Sequence, residues 1–101
     1  MFAELDRLGA VGATVPFGGR AGAGGQVGRV VLSRLEGAEQ VESELGWAHE
    51  ELAFAVAAPV WDRFGSFAGQ PRITGTVRWE TAERRVLISG RRGEERFEER
   101  A

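Results

Sequence analysis

Residues 72–89, RITGTVRWETAERRVLIS, decide the fold. Ile73, Gly75, Val77 and Trp79 alternate with Arg72, Thr74, Thr76, Arg78 and Glu80, and Val86 and Ile88 then alternate with Arg85, Leu87 and Ser89. Successive side chains on a strand point to opposite faces, so apolar residues at every second position predict one core face and one polar face. Thr81-Ala82-Glu83 turns the chain between the two runs, which predicts an antiparallel hairpin. Gly90-Arg91-Arg92-Gly93 reads as a second turn. The charged tail at 93–101 has Phe97 as its apolar anchor and is expected to be a short edge strand or a frayed end.

Upstream of the hairpin, Trp61 to Pro71 reads as a loop carrying the aromatic anchors Trp61, Phe64 and Phe67. Ala38, Val41, Leu45, Ala48, Leu52 and Ala55 recur at alternating steps of three and four, with Glu39, Glu42, Glu44 and Glu50 between them. That spacing predicts an acidic amphipathic helix, which Gly46 weakens by about 1 kcal/mol and Pro59 must end. Gln26–Leu35 reads as a strand on its β-branched residues. The Gly-rich stretch at 18–25, five glycines in eight residues, reads as a loop. Val11–Phe17 alternates like a strand that Pro16 restricts to an edge or an end, and Phe2–Leu8 reads as a short helix stopped by Gly9. No internal repeat or linker is visible. The expectation is a single domain over 1–101 of class α+β, a small antiparallel sheet packed against one amphipathic helix. An all-β barrel is the alternative if residues 51–60 form a strand.

Composition excludes more than it identifies. The chain has 101 residues, of which 43% are hydrophobic and 28% charged, the balance of an ordinary soluble globular domain with room for one core. With no cysteine there is no disulfide, no thiolate nucleophile and no Cys-ligated zinc. All 13 basic residues are arginine, which removes Schiff-base chemistry and the P-loop lysine. We read this bias as the codon usage of a GC-rich, bacterial-like genome. Glu4 and Asp6 interrupt the start, so no signal peptide is expected, no apolar run of 18 residues exists, and the expected location is cytoplasmic. The net charge of −2 hides a polarised chain: residues 34–51 carry one arginine and six glutamates, residues 72–92 six arginines and two glutamates.

Gly22-Ala-Gly-Gly25-Gln-Val-Gly28 has the G-x-x-G-x-x-G spacing that resembles the dinucleotide fingerprint of extended short-chain dehydrogenases/reductases. The resemblance implies glycines that let the backbone approach a pyrophosphate at a helix N-terminus. That fingerprint follows a hydrophobic strand, whereas Pro16-Phe-Gly-Gly-Arg-Ala21 stands here, and the chain has no tyrosine for the family's catalytic pair. No cofactor is therefore expected. His49, the single histidine, lies in His49-Glu-Glu-Leu-Ala53, where a zinc-binding helix needs a second histidine at 53, so no metal is expected. No Ser-centred nucleophile motif is present, and no catalytic residue is assigned.

The remaining chemistry is recognition. Arg72, Arg78, Trp79, Arg84 and Arg85 bring the residue types enriched at binding hot spots onto one hairpin, and an acidic helix on the same chain supplies complementary carboxylates. The expected function is a non-enzymatic protein-interaction or assembly module that self-associates into a homo-oligomer through these two elements. The alternative is a small winged-helix-like nucleic-acid binder with residues 38–56 as the helix-turn-helix and the hairpin as its wing.

Overall fold

The computed structural model describes residues 1–20, 24–44, 50–64 and 72–100. The hairpin forms as its alternation predicts: β5 (Ile73–Glu80) pairs with β6 (Arg85–Arg92), with Val77 opposite Ile88 and Trp79 opposite Val86. The remaining elements are α1 (Phe2–Arg7), β1 (Ala10–Arg20), β2 (Gly24–Val27), β3 (Val31–Glu36), β4 (Glu39–Glu44), α2 (Glu50–Phe64) and β7 (Glu95–Arg100). All strand pairs are antiparallel, in the order β4-β3-β1-β5-β6-β7, with β2 continuing alongside β1. The sheet is open, so the protein is α+β and the barrel alternative does not hold.

The order of elements repeats an architecture that the sequence does not repeat. A helix precedes a three-stranded meander twice: α1 with β1, β2/β3 and β4, then α2 with β5, β6 and β7. The first strands of the two halves, β1 and β5, meet in the middle of the sheet. Both outer hairpins close with two-residue turns, Gly37-Ala38 and Gly93-Glu94. Their glycines have φ of 63° and 61°, while the following residues stay out of the positive region, which is the pattern of a type II′ turn.

Both helices lie on one face. Leu5 of α1 and Ala53, Val56 and Ala57 of α2 pack with Ala13, Val15, Val30 and Leu32, while Val60 and Phe64 pack with Phe17, Ile73, Val77, Val86 and Ile88. Val15, Val56, Val60, Ile73, Val77 and Ile88 are completely buried, each worth about 1.5–3 kcal/mol of transfer free energy. Trp79 lies on this face: its Nε1–H donates to the Val56 carbonyl at 2.7 Å and its ring meets Phe2 edge-on at 4.9 Å. At the turn of the β5–β6 hairpin, the buried Thr81 hydroxyl is shared between the carbonyls of Ala10 and Val11, at 3.2 and 3.0 Å. It satisfies acceptors at the register shift where β1 bulges against β3.

Three expectations are corrected. The acidic amphipathic helix begun at Ala38 does not form, because Glu39–Glu44 is edge strand β4, paired with β3 across the Gly37 turn. The substantial helix lies further on, at Glu50–Phe64, and runs through Pro59, which therefore does not end it. Pro59 leaves the Ala55 carbonyl without its helical donor, but buried Val56, Ala57, Val60 and Phe64 on both sides hold the helix on the sheet. Trp61 to Phe64 belongs to this helix rather than to a loop.

Pro16 does not mark an edge: it sits in the most highly partnered strand, opposite Thr76 of β5. On its other side the Pro16 carbonyl accepts from Gly28 N–H at 2.8 Å, at the interruption between β2 and β3. A strand residue points its N–H and carbonyl to the same side, so the missing donor faces that interruption instead of a ladder partner. Gly28 admits the Pro16 ring, since a Cβ there would lie 2.7 Å from Pro16 Cγ. The Gly-rich stretch is strand at both ends, Arg20 pairing with Gly24, and its residues 21–23 lie outside the described residues. Gly90 belongs to β6 and only Gly93 turns the chain, while the tail forms edge strand β7.

Gly75 and Gly90 face each other where β5 and β6 approach too closely for side chains: a Cβ on Gly90 would meet the Thr74 carbonyl oxygen at 2.0 Å. Phe97, opposite Gly90, then packs edge-on against Phe64 at 6.0 Å. Gly90→Ala is expected to cost about 2–3 kcal/mol through the forced separation of the strands. Denaturant unfolding checks this, and a cost below about 0.5 kcal/mol would show that the strands separate freely.

Candidate functional site

With both helices on one side, the other face of the sheet is open among the described residues. Strand parity assigns to it Gly12, Thr14, Pro16 and Gly18 of β1, Val31, Ser33 and Leu35 of β3, and Gln40, Glu42 and Glu44 of β4. From the other half come Thr74, Thr76, Arg78 and Glu80 of β5, Arg85, Leu87, Ser89 and Arg91 of β6, and Arg96, Glu98 and Arg100 of β7. The centre is built from short side chains and glycine. Its flanks carry opposite charge, glutamates on β4 and a majority of arginines on β5–β7.

The hairpin residues singled out from sequence do not form one basic patch. Arg85 Nη2 donates to Glu80 Oε2 at 2.7 Å and Arg78 Nε donates to Glu80 Oε1 at 3.2 Å, so one carboxylate holds both guanidiniums. Arg84, whose φ of 49° is set by the turn, donates to Asp6 at 2.7 Å and lies 5.3 Å over the Phe2 ring, tying the hairpin to α1. Trp79 is half-buried on the opposite, helix-covered face. Arg72 alone of the five is exposed without an ion-pair partner among the described residues.

Arg72 stands beside a residue that sequence reading did not select. Gly19 pairs with Ile73 at the end of the β1–β5 ladder, and Arg20 and Arg72 are the residues just past that end. Together they line a concavity of about 570 Å³ whose other walls include Pro16, Gly18, Gly24, Gln26 and Thr74, with no carboxylate among its lining residues. Across the same end of the sheet Thr74 pairs with Arg91, and Arg91 with Arg96. Arg91 and Arg96 line a second concavity there, together with Glu98, and the fold's placing of Arg20 and Arg72 in one concavity has no local sequence signal.

The other candidate chemistries separate cleanly from this corner. Gly24–Val27 is a strand, so the glycine fingerprint does not open a helix, as phosphate binding of the dehydrogenase type requires. The helix-turn-helix fails with the strand at Glu39–Glu44. His49 and Trp47 lie outside the described residues. Among the described residues no cluster of His, Cys, Asp or Glu fit to hold a metal ion is present, and no helix is long and apolar enough to cross a membrane. No family model, curated protein or solved structure matches the chain.

The Arg85 hydrogen bond, followed by the attraction of Arg85 and Arg78, holds the Glu80 carboxyl below its ordinary value of 4.5 against an opposing desolvation. A carboxylate with a lowered folded pKa contributes stability that is full above the unfolded value and lost as pH falls through the folded one. Glu80→Gln is therefore expected to flatten the loss of stability below about pH 4.5, measured by urea unfolding at a series of pH values. Trp79→Phe, which strands the Val56 acceptor but keeps the ring, should cost about 1–2 kcal/mol without changing any association of the protein. Sedimentation of the variant checks the second half of that statement.

Proposed function

We propose that the protein is a non-enzymatic assembly module of the cytoplasm that self-associates through the open face of its sheet. The observation that supports this reading is the charge division of that face. β4 presents Glu42 and Glu44, and β6–β7 present Arg91, Arg96 and Arg100 at the opposite edge. Glu44, Val31, Thr14, Arg78, Leu87 and Arg100 form one row across the sheet, so two copies related by a twofold axis parallel to the strands set each Glu44 level with the other copy's Arg100, which is the self-complementarity an isologous dimer requires. Gly12, Thr14, Thr76 and Ser89 along the middle allow two sheets to approach closely. The acidic element is thus a strand and not a helix, and the basic element is the outer part of the second meander rather than the hairpin's Glu80-paired arginines.

Sedimentation velocity over a range of protein concentrations tests this. A dimer is expected at about 50 mM salt, weakened roughly tenfold or more at about 500 mM, as exposed charge pairs are screened. Reversing the acidic edge with Glu42→Arg and Glu44→Arg should abolish it, and adding Arg91→Glu and Arg100→Glu should restore it. A monomer at every concentration and salt, or a dimer indifferent to the reversal, would overturn the proposal.

A further inference from the structure

The end of the β1–β5 ladder has an electrostatic arrangement that the fold itself does not need. Arg20 is the last residue of β1 and Arg72 immediately precedes β5, both just past the Gly19–Ile73 pair that ends the ladder, and both line the same concavity. Both are exposed, and neither has an ion-pair partner among the described residues. Other arginines are neutralised, Arg85 and Arg78 by Glu80, Arg84 by Asp6, Arg63 by Glu99 at 2.8 Å and Arg29 by Glu44 at 3.2 Å, whereas Arg20 and Arg72 share one concavity that has no carboxylate among its lining residues. Arg91 and Arg96 pair across β6 and β7 at the same end of the sheet, but they line a separate concavity together with Glu98.

We infer that this corner is a binding site for a small multivalent phosphate, a chain of two or three phosphoryl groups seated in the concavity between Arg20 and Arg72. The concavity of about 570 Å³ falls within the usual size of a small-ligand site. Its floor is narrow in side chains: Gly18 and Gly24 leave the backbone accessible, and Thr74 and Gln26 add neutral hydrogen-bonding groups. The planar guanidinium fork matches two oxygens of one phosphoryl group, so Arg20 and Arg72 each grip a group of the chain. A single carboxylate offers one pair of oxygens, whereas a phosphate chain offers each fork a pair of its own. The site lies at one end of the open face and needs no second copy, and it differs from the dinucleotide fingerprint in using arginine forks at a sheet end instead of a helix N-terminus.

Titration calorimetry of the full chain with inorganic triphosphate and with inorganic monophosphate, at equal ionic strength, tests the inference. Triphosphate is expected to bind at least about tenfold more tightly than monophosphate, and Arg20→Ala and Arg72→Ala each to weaken it about tenfold. Arg34→Ala, at an exposed arginine of β3 away from this corner, should leave the affinity unchanged. Without ligand, Arg20→Ala should melt within about 1 °C of the parent, since the exposed Arg20 side chain has no ion-pair partner among the described residues, so lost binding in this variant is not lost folding. Absence of binding, no preference for triphosphate, or equal weakening by Arg34→Ala would overturn the site. Sedimentation of the same samples separates the two proposals, because a monomer that binds triphosphate upholds the site and refutes only the assembly.

Discussion

Residues Gly12 to Gly19 of β1 run opposite Glu80 to Ile73 of β5, and this antiparallel ladder is the one place where the two halves of the sheet join. On its helix-covered side the pairs are Ala13 with Trp79, Val15 with Val77, and Phe17 with Gly75. A small residue stands opposite each large one, with two valines between, so neighbouring side chains fill the layer beneath the helices without overlap. Trp79 spends the space that Ala13 leaves in reaching the Val56 carbonyl of α2, and Phe17 uses the space at Gly75 to lie near Phe64, 6.4 Å between ring centres. Both contacts fix α2 over the ladder. The helix that contains a proline is therefore held chiefly by the sheet, and less by its own hydrogen bonds.

The same ladder organises the uncovered side. Because each half is a meander beginning at the centre, the last strand of each half becomes an outer edge, and whatever charge that strand carries is displayed at the greatest separation. β4 is acidic and β7 mixed, with the arginines of β6 beside it. Charged edge strands oppose indiscriminate edge-to-edge pairing. The open face is left with charge at its flanks and with glycines, threonines and a serine along its middle, residues that present little that must be desolvated at high cost.

How much of this was legible follows from where each signal resides. The β5–β6 hairpin was readable because both strands are buried on one face, so their alternation is written into Val77, Trp79, Val86 and Ile88. β4 was not, because an exposed edge strand has no core face to write: Val41 is its only partly buried residue, and Ala38, Val41 and Leu45 mimic helical spacing by chance. The signal that was present was the turn, Gly37-Ala38 between Glu36 and Glu39, a glycine at the first central position of a two-residue hairpin. Pro16 was misread for a related reason. The rule confining proline to edges is a rule about ladder donors, and the interruption at Gly28 that excuses its missing donor belongs to a different strand.

The candidate site shows the same limit more sharply. Sequence parity places Arg72, Arg78 and Arg85 together on the polar side of one hairpin, and in that respect they are equivalent. What distinguishes them is the residue across the ladder, which parity does not specify. Glu80 stands opposite Arg85, two residues from Arg78, and absorbs both. Arg72 lines a concavity with Arg20, a residue from the far end of β1 that reads in sequence as part of a glycine loop. Residues alike in parity thus have unlike surroundings, Arg78 and Arg85 around one carboxylate and Arg72 in a concavity lined by none. A charged residue's surroundings in this fold are set by its cross-strand neighbours, and those are fixed by the pairing of β5 with β1 on one side and β6 on the other.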